Sequence, residues 1–169
     1  MLPDPLHPAV VHFPIVLMIA APFVTAFVLW KLKGAESHAR TWLVVPVLLA
    51  SVAVSGFVAM QSGEDGEELA EEIVEHDVIE RHEDQGKQFF WFALASVVVA
   101  AAAFASGQIG SWLRILTLVM TIVGAVLVTR TGHSGGEMVY DHMIKGSPGV
   151  VVGDAVQADR PEDSEDDDD

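Results

Sequence analysis

The sequence predicts an all-α integral membrane protein, a four-helix up-and-down bundle with a short surface helix between spans two and three. Three observations carry that expectation. About half of the 169 residues are hydrophobic and the mean hydropathy is positive, which sets the chain apart from ordinary soluble domains. The apolar residues gather in four runs, roughly 13–32, 41–60, 89–106 and 112–129, each about 18 to 20 residues long and so matched to the hydrocarbon thickness of a bilayer. None of these runs contains Asp or Glu, and the polar stripe of a water-facing helix is missing from them.

The net charge of −15 lies outside the runs, mainly in residues 64–84 and 159–169. Such acidity excludes nucleic acid as a partner, because phosphate recognition needs clustered Lys and Arg. It is the surface of a protein kept hydrated in high salt. With no cysteine there is no disulfide, no thiolate ligand, no iron–sulfur cluster and no covalently attached haem. A metal or haem would have to be held by His, Met, Tyr or carboxylate.

The first helix opens at Pro8, a residue suited to a first turn, with His7 just before it. Pro14 and Pro22 follow in the same run, and Pro14 is expected to bend the helix near its histidines and turn His12 inward. A basic leading segment and a small-residue cleavage pattern are both missing, so this helix is expected to stay in place rather than serve as a secretory signal. Lys31, Lys33 and Arg40 in the first connection, and Arg114 between spans three and four, lie on one side of the membrane. Bias of cations to short inner loops then places both termini outside, in a multi-pass protein of the cell membrane.

Span two carries Ser51, Ser55 and Gly56, and span three is rich in alanine; small residues let helices approach closely, as a compact bundle requires. Between them, residues 67–83 read as the surface helix, with Leu69, Ile73, Val74, Val78 and Ile79 on its apolar side. Gly132 is placed to stop span four, and the Gly135-Gly136 pair permits a close backbone approach. Residues 1–150 form the membrane domain, and 151–169 read as a disordered acidic tail.

In this topology the start of span one, the link between two and three and the end of span four share one side. That side receives His7, His12, His76, His82, His133 and His142, leaving only His38 on the other. His12, His82 and His133 fall within about two turns of span ends. Two imidazoles on facing helices suit a non-covalent haem b, with His12 and His133 the favoured axial pair and His7 and His82 as alternates. Three imidazoles with a carboxylate such as Glu83 or Glu137 would instead suit zinc or copper; His7, His12, His82, His133 and His142 are the candidate metal ligands. Met60 and Met138 are second-rank ligands, and Tyr140 reads as an interfacial anchor. His133 and Ser134 are not a hydrolase pair, since adjacent residues do not give nucleophile and base the required geometry. No catalytic residue is assigned. The pattern favours an electron-transfer or binding protein over a hydrolase or transferase, with the lipid bilayer as partner, and it admits a redox protein or quinone and a homo-oligomer.

Two segments, His7-Pro8-x-x-Val11-His12-Phe13-Pro14 and Thr131-Gly132-His133-x-Gly135-Gly136-x-x-Val139-Tyr140, resemble the predicted membrane-protein family catalogued as domain of unknown function 2231. The resemblance covers residues 6–143. It implies a four-span membrane protein whose histidines bind haem or metal in a redox setting, and the residues that carry over are His7, His12 and His133, with His82 a looser match.

Overall fold

A computed structural model describes residues 7–32, 38–64, 74–137 and 140. Among the described residues the elements are α1 (His7–Val10), α2 (His12–Leu32), α3 (His38–Trp42), α4 (Val44–Glu64), α5 (His76–Ala102) and α6 (Gly107–Glu137), with no strand. The residues assigned to the acidic tail, His142, and the first part of the expected surface helix lie outside the described residues.

Two of the helical rods are broken near their starts, each for the same reason. Proline has no N–H, so a proline leaves the carbonyl four residues earlier without its helical donor. Pro14 does this to Val10 and Pro46 to Trp42, and the breaks fall at Val11 and Leu43, one residue after the deprived carbonyl. Helical bonds resume at once, from Ile15 N–H to Val11 O (3.4 Å) and from Val47 N–H to Leu43 O (3.3 Å).

The four long helices form a closed ring in which α2 packs on α4, α4 on α5, α5 on α6, and α6 back on α2. Neighbours run antiparallel: His7 at the start of the chain meets Ala59 near the end of α4, Trp42 meets Ala100 at the end of α5, and His82 near the start of α5 meets Ser134 near the end of α6. Inside lie Met18, Ala21, Trp42, Val45, Leu49, Val52, Ala93 and Ala100, all fully buried. Close packing at the α2–α6 seam depends on Gly124, where an added Cβ would collide with the Met18 side chain. Phe13, Phe23, Trp30, Val54, Trp91, Val98 and Trp112 are exposed. A bundle apolar within and without has its outer face matched to lipid rather than water.

Three helical stretches are long and apolar enough to cross a membrane, His7–Leu32, Arg40–Gly63 and Gly107–Glu137. The remaining long helix, α5, falls short by composition. Its apolar part runs only from Phe89 to Ala102, about 14 residues or roughly 21 Å of helix, against a hydrocarbon core of about 30 Å. It nevertheless traverses the bundle end to end, from His82 beside Ser134 to Ala100 beside Trp42.

The later half of the expected surface helix is not a separate element. From His76 onward it is the beginning of α5, continuous through Gly86, with Ile79 buried. Nor does Gly132 end the last helix, which continues to Glu137.

At the far end of α5 its last carbonyls are all engaged. Ala103 N–H donates to Val99 O, Phe104 N–H to Ala101 O, and Ala105 N–H to Ala102 O. Ala100 O takes the indole N–H of Trp42 at 2.9 Å. The connection then enters α6 through Gly107 at φ 70°, and Gly110 sits so close to the Ala105 carbonyl that no side chain would fit there.

Candidate functional site

All four rods contribute side chains to the end of the bundle where the chain begins. His7 stands on the single turn before the Val11 break. Its Nδ1–H donates to Ala59 O (2.9 Å) and lies 3.1 Å from Ser62 Oγ, while Ser62 Oγ–H donates to the same Ala59 carbonyl (2.8 Å). A carbonyl only accepts, so in the neutral ring Nδ1 carries the proton and Nε2 presents a lone pair. On α4 the receiving face is Ala59, Ser62 and Gly63, spaced i, i+3, i+4 and therefore on one side. A Cβ at Gly63 would come within 3.2 Å of His7 Cε1.

His82, near the start of α5, is held in the same way from α6. Its Nδ1 is 2.9 Å from Ser134 Oγ, which is also 2.9 Å from Thr131 O and 3.0 Å from Gln85 Oε1. Serine has one hydroxyl hydrogen, for which the two acceptors Thr131 O and Gln85 Oε1 compete, so toward His82 the oxygen is left to accept and Nδ1–H donates to Oγ. His82 therefore also turns a lone pair on Nε2 outward from this chain of hydrogen bonds. Gly135 makes room for the ring, since a Cβ there would lie 3.0 Å from His82 Cε1. Burial holds His82 below the ordinary histidine pKa, a nearby His7 adds to that effect, and Glu83 opposes it.

The two imidazoles meet in a T-shaped arrangement, ring centres 6.4 Å apart and planes at 87°. Beside them, on the α5–α6 side, a groove of about 530 Å³ is lined by residues that include Asp77, Glu80, Asp84 and Arg130, and by Gln85 and Thr131, the two groups that receive Ser134.

The other predicted ligands lie elsewhere. His12 is exposed on the far side of the Val11 break, so Pro14 brings His7 rather than His12 inward. His133 is exposed, its side chain 78% accessible, with Nε2 3.6 Å from Glu137 Oε1 in the next turn. His76 is exposed at the start of α5. Among the described residues no three His, Cys, Asp or Glu side chains converge as a metal site would require, so the expected convergence of three imidazoles is not found there. Ala59, Ser62, Gln85 and Ser134 were not legible as site residues. The signal for Ala59, Ser62 and Ser134 is the recurrence of small or hydroxyl residues at i, i+3, i+4 in Ala59-x-x-Ser62-Gly63 and Thr131-x-x-Ser134-Gly135, whereas no pattern in the sequence marks Gln85.

Neither a curated protein nor a solved structure matches the chain. A family model does, over residues 3–148, which takes in every described residue and both histidine segments. The chain belongs to the DUF2231 family of predicted membrane proteins.

Proposed function

We propose that this protein is an electron-transfer membrane protein that holds one b-type haem between His7 and His82. The observation that carries the reading is their placement, two imidazoles with ring centres 6.4 Å apart, each held through Nδ1 so that Nε2 is the nitrogen left to bind. Two imidazoles that ligate one ion from opposite sides, each about 2.0 Å from it, have ring centres roughly 6 Å apart. Fixing the second ring nitrogen on a carbonyl or hydroxyl is the usual way a ligand histidine is oriented. Gly63 and Gly135, one beside each ring, keep side chains away from the imidazole edges. A haem brings four nitrogens of its own and asks the protein for two, whereas zinc or copper(II) asks for three or four. The pair found here suits haem better than a bare ion. When bound between His7 and His82, the haem would supply a one-electron Fe(II)/Fe(III) couple.

The protein is proposed to cross the membrane four times with both termini outside. In support, Glu75, Asp77, Glu80, Glu83, Asp84 and Glu137 all stand at the histidine end. The histidine end also carries Arg81, Lys87 and Arg130, beside these acids and next to a longer connection, whereas Lys31, Arg40 and Arg114 border the short connections of the opposite end, where cations mark an inner face.

Protein purified from membranes in mild detergent tests the reading by its visible spectrum and by extraction of the pigment. A Soret band with extractable haem b is expected, lost on His7→Ala and on His82→Ala and kept on His12→Ala and His133→Ala. A colourless protein carrying stoichiometric zinc or copper overturns it, as does a spectrum indifferent to His7 and His82.

A further inference from the structure

At the end opposite the histidines, Arg114 is held in a place where no carboxylate among the described residues neutralises it. Its guanidinium carbon lies 5.6 Å from the centre of the Trp42 ring, and its Nε is buried without a hydrogen-bond partner. Trp42 is itself fully buried and pinned by its bond to Ala100 O, so the aromatic platform under the cation is fixed. Two protein groups could compensate the charge. Carboxylates are absent from this end among the described residues. The terminal carbonyls of α5, the negative pole of that helix, already receive Ala103, Trp42, Phe104 and Ala105.

The surroundings add positive potential. Arg40 is exposed two residues before Trp42, Lys31 is exposed at the end of α2, and α6 begins here, with the first-turn N–H groups that carry a helix's positive pole. A guanidinium with one N–H lacking a partner, held over a rigid indole at the end of the bundle that also carries Arg40 and Lys31, fits the planar recognition of an oxyanion.

We propose that Arg114 and Trp42 form a phosphate-oxyanion site, with Arg40 at its rim. The chemistry is shared by a phospholipid headgroup and by free phosphate. The headgroup is the source the position favours, because Lys31 and Arg40 border two spans at the depth where headgroups lie. This inference does not depend on what the histidines bind.

The test uses the purified full-length protein in non-ionic detergent, titrated in parallel with phosphatidylglycerol and with inorganic phosphate while the unfolding midpoint is followed. Phosphatidylglycerol raises the wild-type midpoint, and Arg114→Gln weakens its apparent affinity by about tenfold or more. Arg114→Lys, which keeps the charge but not the fork, falls between the two and carries the comparison if the glutamine variant does not fold. A rise with phosphatidylglycerol alone assigns the site to lipid; a comparable rise with inorganic phosphate assigns it to the free anion. A shift equal in wild type and both Arg114 variants, or no shift with either probe, overturns the site.

Discussion

Ser134 Oγ lies 2.9 Å from His82 Nδ1 and closes the bundle between the first turns of α5 and the last turns of α6. The hydroxyl has its own hydrogen committed to Thr131 O or Gln85 Oε1, so it accepts from the imidazole and fixes which ring nitrogen is bare. A serine that sequence reasoning sets aside thus selects the state in which His82 can act as a ligand.

Replacing Ser134 by Ala removes that acceptor and leaves a half-buried N–H unsatisfied. A loss of about 1–3 kcal/mol is expected, and His82 should become a mixture of tautomers, visible in its ring ¹⁵N shifts. Ser134→Thr keeps the hydroxyl and should keep the single tautomer. If the alanine variant retained one tautomer, the serine would not be what selects it.

Gly135 and Gly136 are neighbours on one helix with opposite expectations. A methyl at Gly135 meets His82 Cε1 at 3.0 Å, whereas one at Gly136 meets nothing within 4 Å. Gly135→Ala should displace the imidazole and destabilise by about 1–3 kcal/mol. Gly136→Ala should be neutral or stabilising by up to about 1 kcal/mol, from helix propensity alone. Thermal unfolding of the two variants in the same detergent gives the comparison, and equal behaviour would contradict the packing described for His82.

Acid should weaken the bundle through His82. Its pKa is lowered in the folded protein, so as pH falls below about 6.5 the unfolded chain takes up this proton first. The stability it contributes is therefore complete above about 6.5, declines as pH falls toward the folded value, and is flat below it. Unfolding midpoints between about pH 7 and 5 should drop more steeply for wild type than for His82→Asn; parallel curves would show that the ring is not held neutral by burial.

Trp42→Phe keeps the apolar volume but leaves the Ala100 carbonyl without its donor at a dry helix end. A cost of about 1–3 kcal/mol is expected. Trp30→Phe, an exposed residue, should cost little in a bilayer-like environment. Chemical or thermal unfolding of both variants separates the hydrogen bond from a general preference for tryptophan.

The helical class and the end of the bundle that gathers histidines were legible, because runs of apolar residues and the alternation of chain direction decide both. Which histidine turns inward was not. His7 and His12 are five residues apart, roughly 140° around a helix, so only one of them can face the ring's interior. The break at Val11 then decides between them, and this is a matter of backbone geometry that hydropathy does not record. Likewise His133 and Ser134 differ by about 100°, and the helix, by continuing past Gly132, puts the serine inside and the histidine out. For α5 the sequence suggested a surface helix followed by a span, since charged and apolar halves look like two elements. A single helix carries both halves, its polar turns packing Ile79 and His82 against the bundle while its apolar part lies among alanines.

Each of the four rods gives the site one indispensable piece: His7 from the first, the Ala59 carbonyl and Ser62 from the second, His82 from the third, Ser134 from the fourth. His7 meets Ala59 and Ser62 as soon as the first two rods pair, but His82 has no partner until the fourth rod delivers Ser134. A chain arrested after three rods can therefore bury apolar surface but cannot orient both imidazoles. The site doubles as an assembly checkpoint, one that only a fully inserted, correctly threaded protein can satisfy.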